Sequence, residues 1–173
     1  YFMWTYLNGE FIPKEEVRIS PFDRGFLFSD SVYEVIPSYN NKLFLFDEHL
    51  ERLKNSLSIT NIPIPESLKD LYPLMMELLK KNQLSNQAIY IQITRGVDPV
   101  RSHVSASTTV PTLFMSSTEL EINPYRGSSR KEGLKIKLEE DIRWKRCDVK
   151  ATTLLPNIIP FHREEGSDID EIL

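Results

Sequence analysis

The sequence predicts an α+β domain followed by the beginning of a second domain. Segments in which apolar and polar residues alternate lie on both sides of two segments with helical spacing, and a polar stretch then precedes a new alternating segment. Strands grouped before and after helices are typical of α+β domains. We therefore predict a domain over residues 1–118, a linker over 119–132, and a second domain over 133–173 that is begun and not completed.

The first strands are predicted from turn signals. Residues 2–12 contain two short alternating segments around Asn8-Gly9, a dipeptide typical of two-residue hairpin turns. Residues 31–46 contain another pair of strands, joined at Asn40-Asn41. Because Pro37 lacks the amide that a sheet ladder uses, we expect an edge or a bulge at that position.

The predicted helices follow the second hairpin. Asp47 is expected to cap a helix that ends near Ile59. Another helix is predicted over residues 66–82, where Pro73 should kink the helix or delay its start. Later alternating segments predict strands over residues 88–94, 112–116 and 134–138. The last four residues are typical of the opening of a strand, so we expect the chain to be a piece of a longer protein.

Composition excludes several classes of function. The chain has 173 residues, of which 40% are hydrophobic and 27% charged, as in soluble globular proteins. A net charge of -4 without a basic stripe argues against nucleic-acid binding. The apolar runs are too short to cross a bilayer, so we expect no membrane partner. A single cysteine provides no disulfide framework, which favours a cytoplasmic location.

Lys150 is the first candidate for a catalytic residue. It ends a run that begins charged at Asp141, and it precedes a Thr-Thr-Leu-Leu stretch that is typical of buried chain. A lysine held where water is scarce loses solvation of its charged form, and a neutral amine can attack an aldehyde to form a Schiff base. A lysine that extends along apolar surface to reach solvent is the commoner alternative for an isolated residue.

Two pairs of basic residues are candidates for anion binding. His49 and Arg52 are three residues apart and share a helix face, and a guanidinium suits bidentate capture of a phosphate. An exposed ion pair between Arg52 and Glu48 fits the same spacing equally well. Arg101 and His103 would point the same way in an extended loop and form a carboxylate trap. The alternative is a polar surface loop.

Tyr33 is a candidate for substrate binding at a point where a loop passes into a strand. In that strand Tyr33 and Val35 would lie on one face of the sheet and Glu34 on the other. A half-buried aromatic residue that only packs in the sheet is the alternative.

The order and spacing of these segments resemble the class IV pyridoxal-phosphate aminotransferases. The motifs are Asp-Arg-Gly-Phe and Asp-Ser-Val-Tyr-Glu within 23–34, Glu-His-Leu-Glu-Arg-Leu at 48–53, Ile-Thr-Arg-Gly at 93–96, Arg-Ser-His at 101–103, and Arg-Trp-Lys-Arg-Cys-Asp-Val-Lys at 143–150. Within the family the chain is most similar to bacterial D-amino acid (D-alanine) aminotransferases. The resemblance implies fold type IV, with an N-terminal two-layer α/β domain and the incomplete start of a second, α/β barrel-like domain.

The resemblance also implies a cofactor, a reaction and roles for individual residues. Lys150 would form the Schiff base with pyridoxal 5'-phosphate and move the α-proton, while Arg52 would bind the phosphate with support from His49. The trap for the substrate carboxylate would consist of Tyr33, Arg101 and His103. In the family the last two reach across a homodimer interface. The reaction would transfer an amino group from a D-amino acid to a 2-oxo acid, and no metal is implied.

Alternatives remain open within and outside this activity. Aminodeoxychorismate lyases and branched-chain aminotransferases share the lysine and the phosphate arginine, but the Arg101-x-His103 pair favours a D-amino acid transaminase. A non-catalytic relative is the other alternative, because Ser29 and Ser31 stand beside Asp30 where the family usually has glycines. The family's acidic partner for the pyridine nitrogen also falls after the point that corresponds to the last residue of this chain. The sequence does not indicate which amino acid is preferred.

Overall fold

The structure, a computed structural model, describes residues 3–106, 108–120 and 133–173. The chain divides into two units, Tyr1–Glu121 with Val149–Thr152 and Ile122–Asp148 with Thr153–Leu173. The predicted linker over 119–132 lies almost entirely outside the described residues. Among the helices of the described ranges, none combines the length and the apolar character that a membrane crossing requires.

An antiparallel sheet forms the first unit. Within the described residues it has six strands in the order β2-β1-β6-β5-β3-β4. The strands are β1 (Trp4–Leu7), β2 (Glu10–Pro13), β3 (Ser31–Tyr39), β4 (Lys42–Leu43), β5 (Asn86–Thr94) and β6 (Thr112–Glu119). The helices of this unit are α1 (Arg24–Phe28), α2 (Phe46–Thr60) and α3 (Leu71–Asn82), with a 3-10 helix at Glu66–Asp70.

Both predicted hairpins are confirmed, because their turn residues adopt the backbone angles that such turns need. Asn8 and Gly9 have φ of 47° and 108°, and Asn40 and Asn41 have φ of 49° and 59°. Two successive positive φ values match the twist of the flanking strands. The returning strand β4 is shorter than predicted and ends at Leu43.

Pro37, where an edge or a bulge was predicted, lies in a strand that is fully paired on one side only. Strand β3 pairs along its whole length with β5, whereas β4 on its other side pairs only with Ser38 and Tyr39. The carbonyl of Pro37 accepts a hydrogen bond from the amide of Phe44 on that sparsely paired side. A proline there leaves the ladder with β5 intact, because its missing amide faces the side where pairing ends.

The helices start differently from the prediction. The residue that caps α2 is Leu45, with φ of 49° and no side-chain cap, so the prediction that Asp47 caps this helix was wrong. Asp47 lies inside the first turn instead, where its negative charge is favourable to the helix dipole. Helix α3 begins at Leu71, and Pro73 therefore lies in a first turn that needs no amide donor. Of the two outcomes predicted for Pro73, a kink or a delayed start, the structure shows the delayed start.

The core of the first unit lies between the helices and one face of the sheet. Leu53 and Leu57 of α2 and Met75 and Leu78 of α3 are fully buried. They belong to one cluster with the inward residues of β5 and β6, which are Ile89, Ile91, Ile93, Leu113 and Met115. The other face of the sheet is only partly covered, as the half-buried or exposed residues of β3 at alternate positions show.

The second unit contains short elements. Strands β7 (Ile136–Lys137) and β8 (Glu171–Ile172) pair in parallel, and helix α4 (Leu155–Arg163) lies between them in sequence. Both strands fall where strands were predicted, but α4 was not predicted. The Thr-Thr-Leu-Leu stretch, which was expected to be buried, is buried only in part, since its first three residues are half-buried and Leu155 is 66% exposed. Helix α4 begins at the last residue of this stretch, with Pro156 in its first turn.

Candidate active site

Strand β3 and helix α2 fix the backbone around Lys150. The Lys150 carbonyl accepts a hydrogen bond from the Tyr33 amide at 2.9 Å, and its amide donates to Ser56 Oγ of α2 at 3.2 Å. The neighbours Val149 and Ala151 are buried. This short segment, assigned from sequence to the second domain, therefore packs in the first unit.

The side chain of Lys150 lies against an aromatic ring. Its Nζ is 4.1 Å from the centroid of the Tyr33 ring, within the range of a cation–π contact. Tyr33 and Val35 lie on the face of β3 away from the core, whereas Glu34 is fully buried on the core side. The predicted alternation of these residues across the sheet is thus confirmed, and the Lys150 amine lies on the more open face.

A second tyrosine borders the Tyr33 ring. The two ring centroids of Tyr33 and Tyr90 are 5.7 Å apart. Burial, together with the neighbouring Tyr33, raises the pKa of Tyr90 to about 12. Tyr90 is therefore protonated at neutral pH, and its hydroxyl donates a hydrogen bond to Gln92 Oε1 at 3.0 Å. The hydroxyl acts here as a fixed donor and not as an acid.

Hydrogen bonds continue from Gln92 to the segment that follows Lys150. Gln92 Nε2 donates to Ser31 Oγ at 3.1 Å, and Ser31 Oγ is 2.5 Å from Thr152 Oγ1. Ser31, one of the two serines that flank Asp30, thus joins β3 to the segment that carries Lys150. Ser29, the other, caps α1 with a φ of 53°, a left-handed angle that glycine adopts at lower cost.

Arg52 and His49 meet at a buried carboxylate. Glu34 Oε1 accepts from Arg52 Nε at 2.5 Å, and Glu34 Oε2 accepts from Arg52 Nη2 at 2.8 Å and lies 2.9 Å from His49 Nδ1. Burial alone would raise the pKa of Glu34, but the hydrogen bonds from Arg52 and His49 outweigh burial and lower it. In turn, the hydrogen bond to Glu34 raises the pKa of Arg52. The alternative of an ion pair between Arg52 and Glu48 was wrong.

The guanidinium of Arg52 remains accessible in spite of this pairing. Its side chain is 53% exposed, and its hydrogen bonds within the described residues use Nε and Nη2. Nη1 is left for another acceptor. Ser56, which contacts the Lys150 amide, is four residues after Arg52 and so lies one turn further along α2. Helix α2 therefore brings Arg52 and Lys150 into the same neighbourhood.

Arg101 and His103 lie elsewhere in the first unit. The guanidinium carbon of Arg101 is 4.7 Å from the centroid of the Phe28 ring, and the His103 ring is 5.7 Å from the same ring. Both residues are exposed. The structure thus brings these two side chains together beside α1. Lys150, Tyr33, His49 and Arg52 form the other group, around β3 and α2.

Comparison with known proteins identifies the family. Residues 31–172 match the family described as amino-transferase class IV. The chain belongs to the class IV aminotransferase family. The resemblance inferred from the motifs is therefore confirmed.

Relatives of this aminotransferase chain include D-alanine aminotransferases. It is 39% identical over 155 residues to that of Staphylococcus haemolyticus and 34% identical over 157 residues to that of Listeria monocytogenes serotype 4b. The matched regions cover 90% and 91% of this chain and 54% of each relative. The chain thus spans about half the length of the curated relatives it matches.

Solved aminotransferases share the fold. The branched-chain aminotransferase from the archaeon Thermoproteus uzoniensis with norvaline superposes with a TM-score of 0.80, at 19% identity, over 97% of this chain and 58% of that one. A T.th. branched-chain amino acid aminotransferase with pyridoxamine 5'-phosphate gives a TM-score of 0.86, also at 19% identity, over 100% of this chain and 59% of that one. At this identity the likeness shows the fold alone, and it confirms the predicted fold class.

Sequence reasoning missed several residues next to the predicted ones. Glu34 was assigned to the face of β3 opposite Tyr33 and Val35, but it was not recognised as the partner of Arg52. A carboxylate at an inward position of an apolar strand needs a buried partner, and this signal was present in the sequence. The roles of Gln92 and Thr152 had no comparable signal, because both side chains contact Ser31, which is distant from them in sequence.

Proposed function

We propose that the protein is a pyridoxal-phosphate-dependent transaminase that moves the amino group of a D-amino acid of the D-alanine type to a 2-oxo acid. The observation that carries the proposal is the placement of Lys150, whose backbone is bonded to β3 and α2 and whose amine lies over Tyr33. The names of the matched relatives support the D-alanine substrate class.

The residues present fit the proposed cofactor. Arg52 offers an exposed guanidinium with Nη1 available for a phosphate oxygen, and Glu34, itself bonded to His49, holds that guanidinium in place. Lys150 offers an amine whose backbone is bonded to the same helix. When bound, pyridoxal phosphate supplies an aldehyde that condenses with amines and a ring that withdraws electrons from the α-carbon.

Lys150 has a second task in the proposed reaction, which is to move a proton. Nζ accepts the proton from the α-carbon of the amino acid in the first half of the reaction and donates a proton to the α-carbon derived from the 2-oxo acid in the second half. The four-carbon side chain allows Nζ to travel while the backbone stays bonded to Tyr33 and Ser56. A carboxylate held from one side fixes which α-hydrogen faces Nζ, and this is the physical source of selectivity for the D enantiomer.

The proposed carboxylate trap combines residues of two subunits. Tyr33 lies beside Lys150, whereas Arg101 and His103 are exposed beside α1, where a second copy of the chain can meet them. We therefore propose a homodimer in which Arg101 and His103 of each subunit complete the site of the other. A guanidinium and an imidazole are suited to bind one carboxylate between them.

The experiment for the reaction uses the complete natural protein with its cofactor. D-alanine and 2-oxoglutarate should yield pyruvate and glutamate, and L-alanine should yield far less pyruvate. Lys150→Ala should abolish both the activity and the covalent attachment of the cofactor by borohydride. Equal rates with both enantiomers would contradict the D-amino acid assignment, and a colourless, inactive protein would support a non-catalytic relative. Activity with aminodeoxychorismate or branched-chain L-amino acids alone would favour the other members of the fold.

The experiment for the shared site mixes two inactive variants. Subunits with Lys150→Ala and subunits with Arg101→Ala are dissociated together and reassociated. If the trap acts across the interface, random pairing makes half of the dimers mixed with one intact site each, so about a quarter of the wild-type activity should return. If the trap acts within one subunit, no mixed dimer has an intact site and no activity should return. As the control, each variant is dissociated and reassociated alone, and it should remain inactive.

A further inference from the structure

A buried arginine of α1 binds the loop that carries Arg101 and His103. Arg24 is only 4% exposed. Its Nη1 donates to the Ser102 carbonyl at 2.6 Å, and its Nη2 donates to the His103 carbonyl at 3.0 Å. Nη1 also lies 3.1 Å from Asp98 Oδ2, within the same loop. One planar guanidinium therefore fixes two consecutive carbonyls of the Arg-Ser-His motif.

An aromatic ring of the same helix contacts the side chains of that motif. The Phe28 centroid is 4.7 Å from the guanidinium carbon of Arg101 and 4.8 Å from that of Arg24. The His103 ring is 5.7 Å from it. Cations rest favourably on aromatic faces, so Phe28 restricts the positions that the exposed Arg101 side chain adopts.

Helix α1 is itself anchored to the sheet. Asp23 caps α1 and accepts hydrogen bonds from Thr94 Oγ1 at 3.0 Å and Thr112 Oγ1 at 2.7 Å. Arg24 Nε donates to Asp30 Oδ2 at 2.8 Å, and Arg95 binds both oxygens of the same carboxylate. The Arg-Ser-His loop is thus held by a helix that cannot easily shift.

Arg95 extends these bonds to the end of α2. It donates to the carbonyls of Thr60 at 2.8 Å and Asn61 at 2.7 Å. Burial alone would raise the pKa of Asp30, but its hydrogen bonds with Arg95 and Arg24 outweigh burial and lower it. The helix that presents His49 and Arg52 is therefore joined to the Arg101 loop through one ionised carboxylate.

We propose that Arg24 and Phe28 are positioning residues for the substrate carboxylate. Arg24 fixes the backbone at Ser102 and His103, and Phe28 orients the side chains of Arg101 and His103 before substrate arrives. The inference rests on the proposed function, in which those two side chains bind the α-carboxylate. Side chains that are already ordered lose less entropy on binding, so the two residues strengthen binding of every carboxylate substrate without touching it.

The test compares three variants of the complete protein with its cofactor. Phe28→Leu and Arg24→Lys should each raise KM for D-alanine and for 2-oxoglutarate by about tenfold, equivalent to about 1.4 kcal/mol. Since the effect is on binding, kcat should change by less than about threefold. Phe26→Leu is the matched control, because Phe26 lies on the same helix and is 76% exposed. Phe28→Tyr, which keeps the ring, should retain the wild-type KM.

Amide hydrogen exchange provides a readout that does not depend on activity. In Arg24→Lys, residues 97–106 should exchange faster, while α3 in the core keeps its wild-type exchange. Unchanged exchange in the loop, or a lowered kcat with unchanged KM in both variants, would overturn the inference. Faster exchange in α3 as well would show that Arg24 has a general structural role. The KM of Phe28→Leu would then test the inference, with a raised KM supporting it and an unchanged KM overturning it. A wild-type protein without transamination would instead refute the proposed function, and with it the substrate part of the inference.

Discussion

The carboxylate of Glu34 should make a measurable contribution to stability, because three charge-assisted hydrogen bonds converge on it. In Glu34→Gln one carboxylate oxygen is replaced by an NH2 group, which cannot accept hydrogen bonds from Arg52 or His49. Only the bonds to the remaining oxygen can then be kept. We expect a loss of about 1.5–3 kcal/mol in the free energy of unfolding at neutral pH. Breaking a fully buried ion pair costs more, about 3–5 kcal/mol. Here Arg52 is 53% exposed, and water can solvate its freed guanidinium.

The pH dependence of this loss has a definite sign. The pKa of Glu34 is lower in the folded protein than its ordinary value of 4.5, because the bonds from Arg52 and His49 outweigh the effect of burial. The ionised carboxylate therefore contributes its full stability above about pH 4.5, and the contribution disappears as the pH falls through the lowered folded pKa. The difference in the free energy of unfolding between wild type and Glu34→Gln should therefore become smaller as the pH falls below about 4.5.

Urea denaturation at a series of pH values measures both effects. Glu51→Gln is the matched control, because Glu51 is exposed on α2 and its substitution removes the same charge without a buried partner. That variant should lie within about 0.5 kcal/mol of wild type. Equal denaturation midpoints for the two variants at neutral pH would refute the reasoning. A Glu34→Gln deficit that stays constant down to low pH would refute the role of ionisation.

Other substitutions test the backbone and the bonds around the site. Gly96→Ala should lower the free energy of unfolding by about 3 kcal/mol or more, because the new Cβ would lie 1.8 Å from the Val110 carbonyl oxygen at a φ of 99°. Gly9→Ala, at a φ of 108° with open space around it, should cost only about 1–2 kcal/mol. Thr152→Val removes the hydroxyl beside Ser31 and should cost about 1–2 kcal/mol. Urea midpoints measure all three, and equal losses for the two glycines would contradict the steric argument.

Local chemistry explains which parts of the fold could be predicted from the sequence. The hairpins at Asn8-Gly9 and Asn40-Asn41 are determined by residues next to each other in the chain, since asparagine and glycine tolerate positive φ. The delayed start of α3 likewise follows from Pro73 alone. By contrast, Leu45 takes a left-handed conformation where the chain turns from β4 into α2, a conformation that no local preference of leucine indicates.

The candidate site was only partly predictable, because spacing along one helix reveals only partners on that helix. For Arg52, the helical pattern indicated Glu48 as a possible partner, whereas the actual partner is Glu34 on a neighbouring strand. The same limit applies to Lys150, which follows the predicted linker in sequence and yet pairs with β3. Contacts between distant segments depend on how the elements pack, and the pattern of a single segment contains no record of them.

The segment around Lys150 shows how the fold separates positioning from chemistry. Its peptide groups are bonded to the strand that carries Tyr33 and to the helix that carries Arg52, so strand pairing and helix packing set the distances between these groups. Within the described residues, Nζ of Lys150 and Nη1 of Arg52, the atoms to which we propose functions, take no part in those bonds. A catalytic amine needs a fixed backbone and a side chain that is free to move. If Lys150 is the catalytic residue that we propose, its substitution should remove the activity while leaving the fold intact, whereas loss of the Ser56 hydroxyl should disturb the position of the amine without removing it.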